Sequence, residues 1–187
     1  MQQQPAYLLV FHNAAFTLQK MTFDPACDYG DTDLTINDNL VCWKFEELIK
    51  NLITLSSDAK KQAEIVGFGA LCDEMTEDFY TYFTLSYPSY LDSNLLTSNQ
   101  VMKLKVLNAF FDERSGNKSP DFWDDLRLET SSEWQIVRQK SKEVLQSLGM
   151  QDLTLKIDRT EKYEMTNTGK RLVIQSTKTR LVRPNDS

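Results

Sequence analysis

Asp73, Glu74, Glu77 and Asp78 crowd four carboxylates into six consecutive positions. If this stretch is helical, Asp73 faces Glu77 and Glu74 faces Asp78 at i,i+4 spacing, where like charges cost about 0.2–0.5 kcal/mol per pair. Two arrangements would offset that cost. One is a helix N-terminus, where the macrodipole favours carboxylates; the other is an acidic ridge offered to a basic protein surface. The acid surplus of the surrounding chain points to the second. A further acidic group, Asp24, Asp28, Asp31, Asp33 and Asp38, punctuates a loop containing Pro25 and Gly30. It has the composition of a calcium loop without the D-x-[DN]-x-[DN]-G-x5-E order. It therefore reads as a solvated or partner-facing loop, with Asp28, Asp31 and Asp33 as candidate contacts. Neither cluster is expected to hold a metal or a cofactor.

The remaining reactive side chains offer little. His12 is the only histidine, so no mechanism or metal site needing two imidazoles is open; at the end of an apolar run it is a general base at best. Cys27, Cys42 and Cys72 lack the C-x-x-C spacing of zinc or dithiol sites. Cys42 and Cys72 have apolar neighbours and read as core. Cys27 sits among aspartates, which raise a thiol's pKa. The chain has no P-loop, dinucleotide, nucleophile-elbow or H-E-x-x-H motif.

These residues must be carried by 187 residues with 21 basic and 27 acidic side chains, a length that fits one domain. No apolar run reaches the roughly 18–20 residues of a membrane span, and the N-terminus lacks a basic signal region. With three cysteines that show no pairing logic, the expectation is a cytoplasmic protein. Charge is split along the chain: residues 1–130 carry a net −10 and residues 131–187 a net +4. The acidic body repels nucleic acid and attracts basic partners. The basic tail (Lys170, Arg171, Lys178, Arg180, Arg183) alternates with apolar residues, as on a half-exposed strand, so nucleic-acid binding is not the expectation.

Apolar periodicity supplies the scaffold. Ala6 to Phe11 and a stretch through Met21–Phe23 read as short strands. Val41, Phe45, Leu48, Leu52 and Leu55 fall at helical spacing and predict a helix over 39–55. Asp58 caps a second helix that ends at Gly67. A third, over 71–86, carries the acidic ridge and the stripe Phe79, Phe83, Tyr87, Tyr90. Residues 99–114 are apolar on two faces, which predicts a largely buried central helix. Residues 121–128 form a helical turn around Trp123. Ser132 and Gln135 have capping-box spacing, followed by the stripe Trp134, Val137, Ser141, Val144, Leu148 and a Gly149 cap. Beyond Gly149 the period becomes 2, and Asn167-Thr168-Gly169 marks a hairpin turn. The expected fold is α+β in one domain over 1–187: strands over 1–23, a predominantly helical bundle over 39–149, and a C-terminal antiparallel hairpin or meander over 152–183.

The helical segment contains L-x-x-L-x-x-F-F-D-x-x-S-G from Leu104, then F-W-x-x-x-L, S-x-x-W-x-x-V-R and V-L-x-x-L up to Leu148. Before it stands D-E-M-T-E-D-F-Y-x-Y-F over 73–83. Over residues 40–148 this pattern resembles small bacterial immunity proteins of contact-dependent growth-inhibition toxin systems. The resemblance implies a non-enzymatic protein that neutralises one cognate toxin domain, nuclease domains being among such toxins. On this reading Asp73, Glu74, Glu77, Asp78, Asp28, Asp31 and Asp33 face the partner. Two alternatives stay open from the residues: a carboxylate-based metal-dependent hydrolase using Asp73 and Glu77 or the aspartate loop, and a regulatory or structural interaction module.

Overall fold

The computed structural model describes residues 21–183. His12 and the strand expected over 6–11 lie outside them, and residues 21–23 form no strand, although Met21 and Phe23 pack on the core. The described residues fold as α+β: six α-helices followed by one two-stranded antiparallel sheet.

Helix α1 (Asn37–Ser56) is the axis of the fold. Its apolar residues occupy more than one stripe, so Val41, Phe45, Leu48, Ile49, Leu52 and Leu55 are all buried. It packs most extensively on α6 (Ser132–Leu148), and also on α3 (Leu71–Phe79) and α2 (Ala59–Val66). Enclosure of so much of α1 also buries Glu46, Lys50, Asn51 and Thr54. Lys50 Nζ reaches Glu46 at 2.7 Å and Glu47 at 2.9 Å, and Glu46 accepts from the Tyr29 amide at 3.0 Å. Asp58 caps α2, accepting from the Lys61 amide at 2.8 Å.

Three expectations need correction. The single helix over 71–86 breaks: α3 stops at Phe79, a π-helical turn occupies Tyr80–Thr84, and α4 spans Tyr87–Asp92. Pro88 explains the break, because a proline ring collides with the carbonyl four residues back, here Thr84, and offers no amide to it. The chain instead bonds in the wider register, with the Leu85 amide donating to the Tyr80 carbonyl at 3.2 Å. Second, α5 (Ser98–Asp112) is not the central helix. Val101, Leu104, Leu107 and Phe111 are buried, but Met102 and Val106 on its other apolar face are 58% and 52% exposed. Third, the α6 cap is Ser131, one residue earlier than the Ser132 spacing suggests; its hydroxyl accepts from the Trp134 amide. The turn around Trp123 resolves into two 3-10 turns, Pro120–Phe122 and Asp125–Arg127, with Trp123 between them.

Trp134 is fully buried, stacked on Phe122 with ring centroids 4.9 Å apart, and donates its indole N–H to the Phe122 carbonyl at 2.8 Å. Arg138, one turn along, ties three segments together through the carbonyls of Ser57 and Leu128 and the Gln62 side chain. Gly149 closes α6 in the left-handed conformation. Strands β1 (Thr154–Thr166) and β2 (Gly169–Val182) then form one long hairpin around Asn167-Thr168, rather than a meander. Only its base enters the core, through Leu155 and Leu181. Further out, Arg159 donates to the Glu64 and Ile65 carbonyls at the end of α2, and Gln175 accepts from the Phe68 amide at 2.7 Å. Gly67 has φ +83°, and a Cβ there would overlap Gln175 and Arg159, so this docking requires glycine.

Candidate functional site

Helix α3 presents its four carboxylates in two rows, because residues four apart share a face while neighbours diverge. Cys72, Met75 and Phe79 bury the opposite side and fix the helix against α1. Its N-terminus is held by a residue that sequence reasoning passed over. The Asp125 carboxylate accepts from the Leu71 and Cys72 amides, both at 2.9 Å, joining the 3-10 loop to the first turn of α3. Two unpaired helix donors are thereby satisfied by an anion where the macrodipole favours one.

Asp73 and Glu77 line an open cleft of about 900 Å³ between α3, the π turn, α5 and the loop after α5. Phe79 and Phe111 belong to its lining with Tyr80 and Trp123, while Asp112 and Asn108 come from α5. Every charged side chain in that lining is a carboxylate. The floor is packed aromatic to aromatic: Phe79 meets Phe111 edge to face at 5.5 Å, and the contacts continue through Phe122 to Trp134. A polar chain steadies the far wall, with the Thr84 hydroxyl donating to Asn108 Oδ1 at 2.8 Å and Asn108 Nδ2 donating to Asp112 at 2.7 Å. The Trp123 indole N–H is spent on the Arg114 carbonyl at 2.8 Å, so its ring rather than its donor is available. Tyr80, the first residue of the π turn, is half exposed. Such turns are rare, and those inside helices are frequently found at functional sites.

Glu74 and Asp78 lie on the other row, beside a smaller cavity of about 220 Å³ between α1, α3 and the hairpin. Loss of water on the cavity side, then the charges of Glu47, Glu74 and Glu77, raise the Asp78 pKa to about 6.

The loop candidates are engaged within the chain. Lys178 on β2 reaches both Asp28 and Asp31 at 3.0 Å, so part of the acidic body meets the basic tail internally. Asp33 accepts from the Thr35 amide and hydroxyl, which lowers its pKa. Cys42 and Cys72 are buried as expected. The Cys27 thiol is raised by burial first and then by Asp24, Glu46 and Asp28. Among the described residues no three Asp, Glu, His or Cys side chains converge to hold a metal ion. No helix among them is long and apolar enough to cross a membrane.

The structure thus separates the four ridge carboxylates into two sites and adds Asp112, Asn108, Tyr80 and Trp123 to the larger one. Asn108 and Asp112 stand at i,i+4 spacing, a signal visible in the sequence; their meeting with α3 is not. No family model, curated protein or solved structure matches the chain.

Proposed function

We propose that this chain is an immunity-type binding protein, without catalytic activity of its own, that neutralises a cognate toxin domain in the cytoplasm. The observation that carries the reading is the α3–α5 cleft, whose charged residues are all acidic and whose floor is aromatic. A basic loop or helix of a toxin, such as one that binds phosphates in a nuclease, would meet carboxylates at the rim and flat rings beneath. Lysine and arginine gain from both, by charge pairing and by cation–π contact. Asp73 and Glu77 are the principal contacts on this reading, supported by Asp112 and Tyr80; Asp28 and Asp31, already paired with Lys178, and Asp33, bonded to Thr35, are secondary to them.

The test is to establish whether the neighbouring upstream gene encodes a large secreted protein with a variable C-terminal domain, and to co-express the chain with that domain. The wild-type chain should restore growth and co-purify with that domain; Asp73→Lys plus Glu77→Lys should lose both while melting as the wild type does. Undiminished protection by the double variant would remove the cleft from the function.

A further inference from the structure

We propose that the exposed face of α5 docks a second copy of this chain, as an antiparallel pair of α5 helices related by a two-fold axis. Asn99, Met102, Val106, Ala109 and Glu113 recur at alternating steps of three and four residues, the spacing of positions that line a helix–helix seam. Met102 and Val106 are 58% and 52% exposed, and Ala109, small enough for close approach, is exposed as well. Val101, Leu104, Leu107 and Phe111 bury the opposite side, so the stripe stands on a helix that the core already holds. Of the residues on this seam and its flanks only Asp112 also lines the cleft, and the inference does not rest on the toxin reading.

Charge selects the occupant and its direction. Along the helix and its cap, Lys103 and Lys105 come first and Asp112 and Glu113 last, all four exposed. Acids at the C-terminal end are what the macrodipole disfavours, so the order does not serve the isolated helix. Antiparallel packing sets Val106 of one helix against Ala109 of the other. Lys105 then falls beside Asp112 of the second copy, at the flanking positions that set partner choice and orientation. Lys103 falls beside Glu113 of the second copy in the same arrangement, and the two-fold axis repeats each pair. A parallel pair would instead gather lysines at one end and carboxylates at the other, an arrangement that repels. Both flanking groups are held in place: the Lys105 ammonium sits over the Tyr87 ring, 4.7 Å from its centroid, and Asp112 accepts from Asn108 Nδ2. Fifteen residues make a helix only about 22 Å long. The seam is therefore at the small end of specific interfaces, with a dissociation constant between about 1 μM and 1 mM.

The experiment is sedimentation of the full chain from about 10 μM to about 1 mM, over which the wild type should pass from monomer toward dimer. Lys105→Glu and Asp112→Lys each set like charges against one another on both sides of the axis. Each variant alone should associate at least tenfold more weakly. Mixed in equal amounts the two should recover wild-type association, since each supplies the charge the other needs. Val106→Glu, at an exposed position in the seam, should abolish association while melting as the wild type does. If either charge variant fails to fold, Lys103→Glu mixed with Glu113→Lys makes the same comparison. A wild type that is monomeric at about 1 mM, single variants that associate as the wild type does, or a mixture that recovers nothing would each overturn the proposal.

Discussion

Replacing Asp78 by asparagine should stabilise the protein at neutral pH and do nothing at acid pH. The folded carboxyl titrates at about 6 against an ordinary 3.8, through loss of water first and then Glu47, Glu74 and Glu77. Because the folded chain holds this proton more tightly than the unfolded chain, the associated stability is complete below pH 3.8 and is lost as pH rises through 6. A displacement of that size corresponds to about 3 kcal/mol when fully felt. Asp78 faces the cavity on one side but is exposed on the other, so solvent screening reduces the figure to about 1 kcal/mol. Asparagine has no charge to desolvate. Melts of the two proteins between pH 4 and 8 should therefore separate by about 2–4 °C in favour of Asp78→Asn at pH 7.5, with the gap closing toward pH 4. A gap of the same size at every pH, or a wild type that is the more stable at pH 7.5, would refute the reasoning.

Trp134→Ala removes a fully buried, stacked ring and should cost about 3–5 kcal/mol in denaturant unfolding; an unchanged midpoint would place Trp134 outside the core. Arg138→Met keeps the stem but leaves the acceptors of Ser57, Gln62 and Leu128 without their donor, and should cost about 2–3 kcal/mol by the same assay. Asp125→Ala should cost about 1–2 kcal/mol and speed hydrogen exchange at the Leu71 and Cys72 amides, which lose their acceptor.

Much of the scaffold is legible in the sequence because it follows from local periodicity. The stripe from Val41 to Leu55 marks α1, Asp58 and Gly67 bracket α2, and the change to a period of 2 after Gly149 marks the hairpin. What periodicity does not settle is how much of an apolar face the neighbours cover. Helix α5 carries two apolar stripes, yet one of them meets solvent because α1, not α5, occupies the centre. The π turn is a similar case: Phe79 and Phe83 continue a helical stripe, and Pro88 is the one local warning of the register change. The candidate site is half legible. Clustering of Asp73, Glu74, Glu77 and Asp78 is plain, but their division between a cleft and a cavity depends on α5 and the hairpin packing on opposite sides of α3. Asp112 and Asp125 gain their roles from contacts distant in sequence, and Lys178 claims Asp28 and Asp31 across more than a hundred residues.

Binding kinetics with a candidate toxin domain test the proposed function most directly. Association of the wild-type chain should be fast at low salt and slow steeply as salt is added, because carboxylates steer a basic partner. Asp73→Lys plus Glu77→Lys should slow association and flatten that salt dependence, with affinity falling by at least a hundredfold if either carboxylate also docks in a desolvated contact. Reversal of Glu143, an exposed acid on α6 away from the cleft, should leave the kinetics unchanged. Equal kinetics for the wild type and the Asp73/Glu77 variant would contradict the account and leave the loop carrying Asp28, Asp31 and Asp33 as the surface to test.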